Sequence, residues 1–179
     1  MAIWQYRIIL LPEEALLRKY EVLPPTIPME LAEDFGWWSE TQPLSGLEGQ
    51  IDSILPQMDS WSTSMRIWGH KHGNDAHVIY DDDTKSKVIE ISFRIDARAI
   101  SLDLVRRICT LAGQLKCVLL TAGYTILLPD ESMVLTAIND STAKKFVDDP
   151  ETTLRSLDQK KMQEGFDYLM RDWKKNPPK

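Results

Sequence analysis

The ten residues KVIEISFRID, positions 87–96, leave this chain fewer options than any other stretch. Apolar Ile89, Ile91, Phe93 and Ile95 alternate with Val88, Glu90, Ser92 and Arg94. Successive side chains of a strand point to opposite faces, so this spacing predicts a strand with an apolar side and a partly wet one. That contrast belongs to antiparallel sheets, because parallel strands are covered on both sides and read as continuous apolar runs. MRIWGH and AHVIYD precede it, joined by the turn-rich strings KHGND and DDTKS. Together they predict a three-stranded meander.

The flanks add helices to this sheet. IWQYRIILL (3–11) reads as an N-terminal strand, and PEEALLRKY after it as a short helix with acids in its first turn. VLPPTIP, with three prolines in seven residues, is irregular, and MELAEDFGWWSETQP mixes a helical turn with loop. SGLEGQIDSILPQM predicts a helix capped by Ser45, with Leu47, Ile51, Ile54 and Leu55 on one face. SLDLVRRICTLAGQL predicts a Ser101-capped helix whose apolar stripe covers the sheet. CVLLT and YTILL, around Ala122 and Gly123, form an apolar hairpin, expected to be more central than edge. Asp130 and Ser141 cap two further short helices, and Asp149-Pro150-Glu151 opens a C-terminal helical segment over 150–174, with 175–179 a frayed tail. The expectation is a single α+β domain spanning 1–179: an antiparallel-dominated sheet, made of the meander, the hairpin and the N-terminal strand, covered by helices.

Charge narrows the function classes. A net charge of −6 argues against nucleic acid, whose phosphates require a concentrated basic surface, and favours a basic partner. The opening MAIWQYRIILLPEE is broken by Gln5 and Arg7, and no window has the length and hydropathy of a membrane span, so a cytoplasmic protein with no membrane association is expected. Cys109 and Cys117 read as reduced, inert thiols. No nucleophile elbow, phosphate loop or dinucleotide fingerprint occurs, and no cofactor or catalytic residue is expected.

RIWGHKHGNDAHVIYDDD (66–83) gathers all three histidines beside three aspartates. His70 and His77 are equidistant from Gly73-Asn74, so a hairpin centred there brings them face to face. His72 folded back towards them completes three imidazoles, the ligand set of an open zinc site. The alternative is a solvated turn between strands, since glycine, asparagine and aspartate are turn residues, and it is the reading adopted. Asp81, Asp82 and Asp83 do not follow calcium-loop spacing and suit an acidic knob for a basic partner. Arg94, Asp96 and Arg98 on one side of a strand suit a charge-paired ladder better than an anion site. Trp37, Trp38 and Trp61 lie in expected loops, where an indole either pins the loop to the body or anchors a partner.

The succession of the Trp37-Trp38 pair, LPQMDSW at 55–61, IWG at 67–69, RIDAR at 94–98, the cysteine opening CVLL, and KKFVDDPETTLRSL near the end resembles a group of small bacterial cytoplasmic proteins of undefined function. Some of these are similar to immunity proteins, which neutralise the toxins of competing bacteria. The resemblance covers most of the chain, carries over no functional residue, and implies a stoichiometric binding protein. The leading expectation is therefore a non-catalytic protein-binding module, immunity-like, using Trp37, Trp38, Trp61, Asp81, Asp82 and Asp83 against a basic toxin. A small metal-dependent enzyme built on His70, His72 and His77 is the first alternative. A structural protein that associates with its own copy is the second.

Overall fold

A computed structural model describes residues 2–32, 35–43, 45–82 and 84–158. Its strands are β1 (Gln5–Pro12), β2 (Gln57–Met58), β3 (Met65–Gly69), β4 (Asp75–Tyr80), β5 (Val88–Asp96), β6 (Cys117–Thr121) and β7 (Ile126–Leu127). They form one sheet in the order β2-β3-β4-β5-β1-β6-β7, and every pairing is antiparallel. The helices are α1 (Glu13–Tyr20), α2 (Met29–Ala32), α3 (Leu47–Asp52), α4 (Leu102–Gln114), α5 (Glu131–Asn139) and α6 (Thr142–Asp148), with a 3-10 turn at Phe35–Trp38. The fold is α+β, with an antiparallel sheet. Residues 150–158 are helical, and the rest of the C-terminal segment expected over 150–174 and the tail fall outside the described residues.

The meander is β3-β4-β5, and the N-terminal strand inserts between it and the hairpin. Register then fixes the faces. Tyr6, Ile8 and Leu10 stand opposite Ile95, Phe93 and Ile91, and all six are buried on one side of the sheet. Ala76, Val78 and Trp68 continue that side through β4 and β3, and Leu119 through β6. Trp68 donates from its indole nitrogen to Asp52 of α3 at 2.6 Å, and Arg107 of α4 donates to the Ser53 carbonyl at 2.8 Å, which ties both helices to one another. Burying this side removes several large aliphatic and aromatic groups from water, at roughly 1.5–3 kcal/mol per side chain.

Three local expectations are corrected. α3 starts at Leu47 behind Gly46 in a left-handed conformation, with no side-chain cap, so Ser45 does not cap it; Ile54 and Leu55 lie past its end, half-buried against the core. Ile89 is not part of the buried row: register shifts between Ile79 and Tyr80, so Val88 pairs with Tyr80 and is buried while Ile89 is only half-buried. The CVLLT–YTILL hairpin ends the sheet instead of centring it, with β7 only two residues long. Its apolar content is explained by cover: Ile126 N–H donates to the Pro25 carbonyl and Ile27 N–H to Tyr124, so the proline-rich segment closes that edge. Caps at Ser101, Asp130 and Ser141 are as expected, each accepting from a backbone N–H three residues on.

Candidate functional site

The histidine-rich stretch forms the β3–β4 hairpin, but the pairing is symmetric about His72 and not about Gly73-Asn74. Gly69 pairs with Asp75, His70 N–H donates to the Asn74 carbonyl at 2.8 Å, and Gly73 N–H closes onto His70. His70 therefore stands opposite Asn74, and His77 stands opposite Ile67, well up the strand. The face-to-face approach of His70 and His77 does not occur. His70 and His72 stay near each other at the turn, with ring centroids 6.1 Å apart. Among the described residues no group of three or more histidine, cysteine, aspartate or glutamate side chains is placed to hold a metal ion.

His77 belongs instead to a charged network on the other face of the sheet. Arg94 of β5 grips Asp75 of β4 with two hydrogen bonds of 2.6 Å, and Asp75 is 1% exposed. The same guanidinium lies 2.9 Å from His77 Nε2. An arginine only donates, so Nε2 accepts, and the imidazole is neutral with its proton on Nδ1. Burial, then the Arg94 charge, hold the His77 pKa below its ordinary value. Arg7 of β1 pairs with Glu90 at 2.7 Å beside this group. Further along, Asp96 takes both Arg98 and, through its backbone N–H, the Asn74 side chain. The RIDAR string is thus a charge-paired ladder, with Arg94 reaching across to β4 and Asp96 held by Arg98.

This network has the residue types of acid–base chemistry without its geometry. Ser92 stands directly opposite His77 in the register, yet the imidazole turns its Nε2 towards Arg94 and Asp75, 3.7 Å from the latter. A serine nucleophile needs its base within hydrogen-bond reach and a carboxylate orienting the other ring nitrogen. Here carboxylate and guanidinium crowd the same nitrogen. Cys109 and Cys117 are buried, and their thiols are pushed up to about 11 and about 12 by desolvation, which keeps them protonated and unreactive.

The acidic tip is bound up with itself. Asp82 accepts from the Thr84 hydroxyl at 2.6 Å, which holds its pKa below the usual carboxylate value. Asp81 accepts from Lys87 N–H at 3.1 Å and from the Ser86 hydroxyl at 3.2 Å. Both carboxylates are exposed but organise the β4–β5 turn; Asp83 lies outside the described residues.

The tryptophans divide sharply. Trp37 and Trp38 are 7% and 2% exposed, and their indole N–H groups donate to the carbonyls of Leu31 and Leu10. Trp37 ties the 3-10 turn back to α2 and Trp38 ties it to β1, so neither is a surface anchor. Trp61 is 82% exposed. It sits in the loop between β2 and β3 at the free edge of the sheet, with Met58 exposed beside it in sequence. The loop carrying it is braced: the Ser60 hydroxyl donates to the Ser62 carbonyl at 2.8 Å, Ser62 and Ser64 hydroxyls meet at 3.0 Å, and Tyr80 N–H donates to Ser64 at 2.9 Å. Asp59, next but one to Trp61, is exposed and makes no ion pair with the described residues. Ser60, Ser62, Ser64 and Met58 were not legible as site residues, although a hydroxyl at every second position around a loop tryptophan is a usable signal of a self-braced turn. Among the described residues no helix is long and apolar enough to cross a membrane.

No family model, curated protein or solved structure matches this chain.

Proposed function

We propose that the chain is a non-catalytic protein-binding module that engages a basic partner through the Trp61 loop, in the manner of an immunity protein covering a toxin. The observation that supports this reading is Trp61 itself: a large indole 82% exposed on a loop held by its own serine hydrogen bonds. Tryptophans are prominent among interface hot spots, and a loop already ordered before binding loses little freedom on association. Asp59, which pairs with no cation among the described residues, and the overall charge of −6 favour a positive partner surface and speed encounter with it. The protein acts in the cytoplasm and needs no cofactor. The test is affinity capture from the native host with wild-type and Trp61→Ala baits. A single basic protein held in stoichiometric amount by the wild type and lost from the variant supports the reading; a partner held equally by both removes Trp61 from it.

A further inference from the structure

A second cleft, distant from Trp61, is built at the junction of β1 and β6. β3, β4 and β5 separate β1 from β2, so the strands next to the two features are four spacings, roughly 20 Å, apart. The cleft has a volume of about 480 Å³, within the range of ligand-binding pockets. Its apolar surface comes from Pro12, Leu17, Trp38, Pro43 and Leu115. Its polar groups include Glu13, at the start of α1, and Lys116, just past the end of α4.

The charges are unequal in setting. The Glu13 side chain is half-buried, accepts no hydrogen bond and makes no ion pair among the described residues; Glu14 beside it is taken by Arg18, and Lys116, whose carbonyl accepts from the Glu13 N–H at 3.0 Å, is a cation of the same wall. Its field reaches the Cys117 thiol, whose pKa it helps to raise. α4, thirteen residues long, also turns its negative carboxyl end to this wall at Gln114. Lys116 is exposed and likewise without an ion-pair partner among the described residues. Glu13 also stands at the positive amino end of α1, which offsets the α4 dipole; the unpaired carboxylate set among apolar walls is complementary to a cation on an aliphatic stem. The walls are also fixed: the Gln42 side chain bonds the Val88 backbone in both directions, at 2.8 and 3.1 Å, and holds the 41–43 segment in place.

We propose that this cleft receives an arginine side chain presented by a basic protein, with Glu13 accepting the guanidinium and Leu17, Pro43 and Leu115 covering the methylene stem. The planar guanidinium packs on apolar walls and still bonds the carboxylate with two donors, which an ammonium does not. The proposal is independent of the Trp61 loop, since it concerns another part of the surface. It is tested on the full chain, labelled with nitrogen-15, by titration with the peptide acetyl-Gly-Arg-Gly-amide and its neutral citrulline analogue. Saturable shifts of the Glu13, Leu17, Gln114 and Lys116 amides with the arginine peptide, at least about tenfold weaker with citrulline, are expected. Glu13→Gln weakens the arginine peptide by a similar factor, and Lys116→Ala tightens it by removing the competing charge. Absence of saturable shifts, equal binding of citrulline, or weaker binding after Lys116→Ala overturns the proposal. The lysine variant keeps the proposal open to refutation even if Glu13→Gln fails to fold.

Discussion

At the scale of single residues, Gly69 shows how much one position dictates. Its φ is +86°, and an added Cβ meets the Asn74 carbonyl oxygen at 2.2 Å and Asp75 Cα at 2.9 Å. Gly69→Ala therefore strains the backbone and forces the β3–β4 hairpin apart, and a loss of at least about 2 kcal/mol in denaturant unfolding is expected. His77 gives a pH-dependent counterpart. Its folded pKa lies below that of the unfolded chain, so the unfolded state binds the proton first as pH falls. The charged neighbours are Arg94 and Glu90 on β5, Asp75 on its own strand and Arg7 on β1. Stability contributed by neutral His77 is present above about pH 6.5 and is lost as pH falls below it. His77→Gln keeps an acceptor for Arg94 without a titrating ring, and its melting temperature is expected to fall less steeply than the wild type's between pH 7 and the carboxylate range. Parallel slopes would show that His77 is not the group responsible. Neither residue's role was readable beforehand. The histidines stand out by their rarity, but which nitrogen faces which neighbour depends on a register symmetric about His72, not about the turn-forming Gly73-Asn74 pair.

At the scale of elements the sequence was a better guide, and physical reasons separate the successes from the failures. β5 and the meander were readable because alternation with period two is written in side chains that one face must bury. The α4, α5 and α6 starts were readable because Ser101, Asp130 and Ser141 satisfy backbone donors locally. The edge position of β7 was not, because what covers it is the proline-rich 25–27 segment, about a hundred positions away in sequence. The polar side of the sheet, expected to be partly wet, is largely buried at Asp75, Glu90 and Ser92, and was not readable as a network: Arg94 and Asp75 lie on different strands and meet only by strand pairing. Because Asp75 is buried, Arg94→Ala leaves its charge uncompensated, and a cost of about 3–5 kcal/mol is expected in chemical denaturation. The two kinds of tryptophan loop differ in the same measurement. Trp38→Ala removes a buried ring and is expected to cost about 3–5 kcal/mol, whereas Trp61→Ala stays within about 0.5 kcal/mol of the wild type.

At the scale of the whole molecule, polar chemistry is mostly consumed internally. The acidic tip ties its own turn, the ladder on the sheet pairs its own charges, and the thiols are buried and protonated. Among the described residues the most exposed large hydrophobic side chain is the Trp61 indole, on a braced loop in a chain with an excess of acids. Under the proposed binding function, the binding energy is concentrated in this one side chain. The most direct measurement is a calorimetric titration of the captured basic protein with wild-type protein and with Trp61→Ala of equal melting temperature. Binding at one to one, weakened at least about thirtyfold by a substitution that leaves the fold intact, is the expected result. Equal affinity of the two proteins for that partner would contradict it.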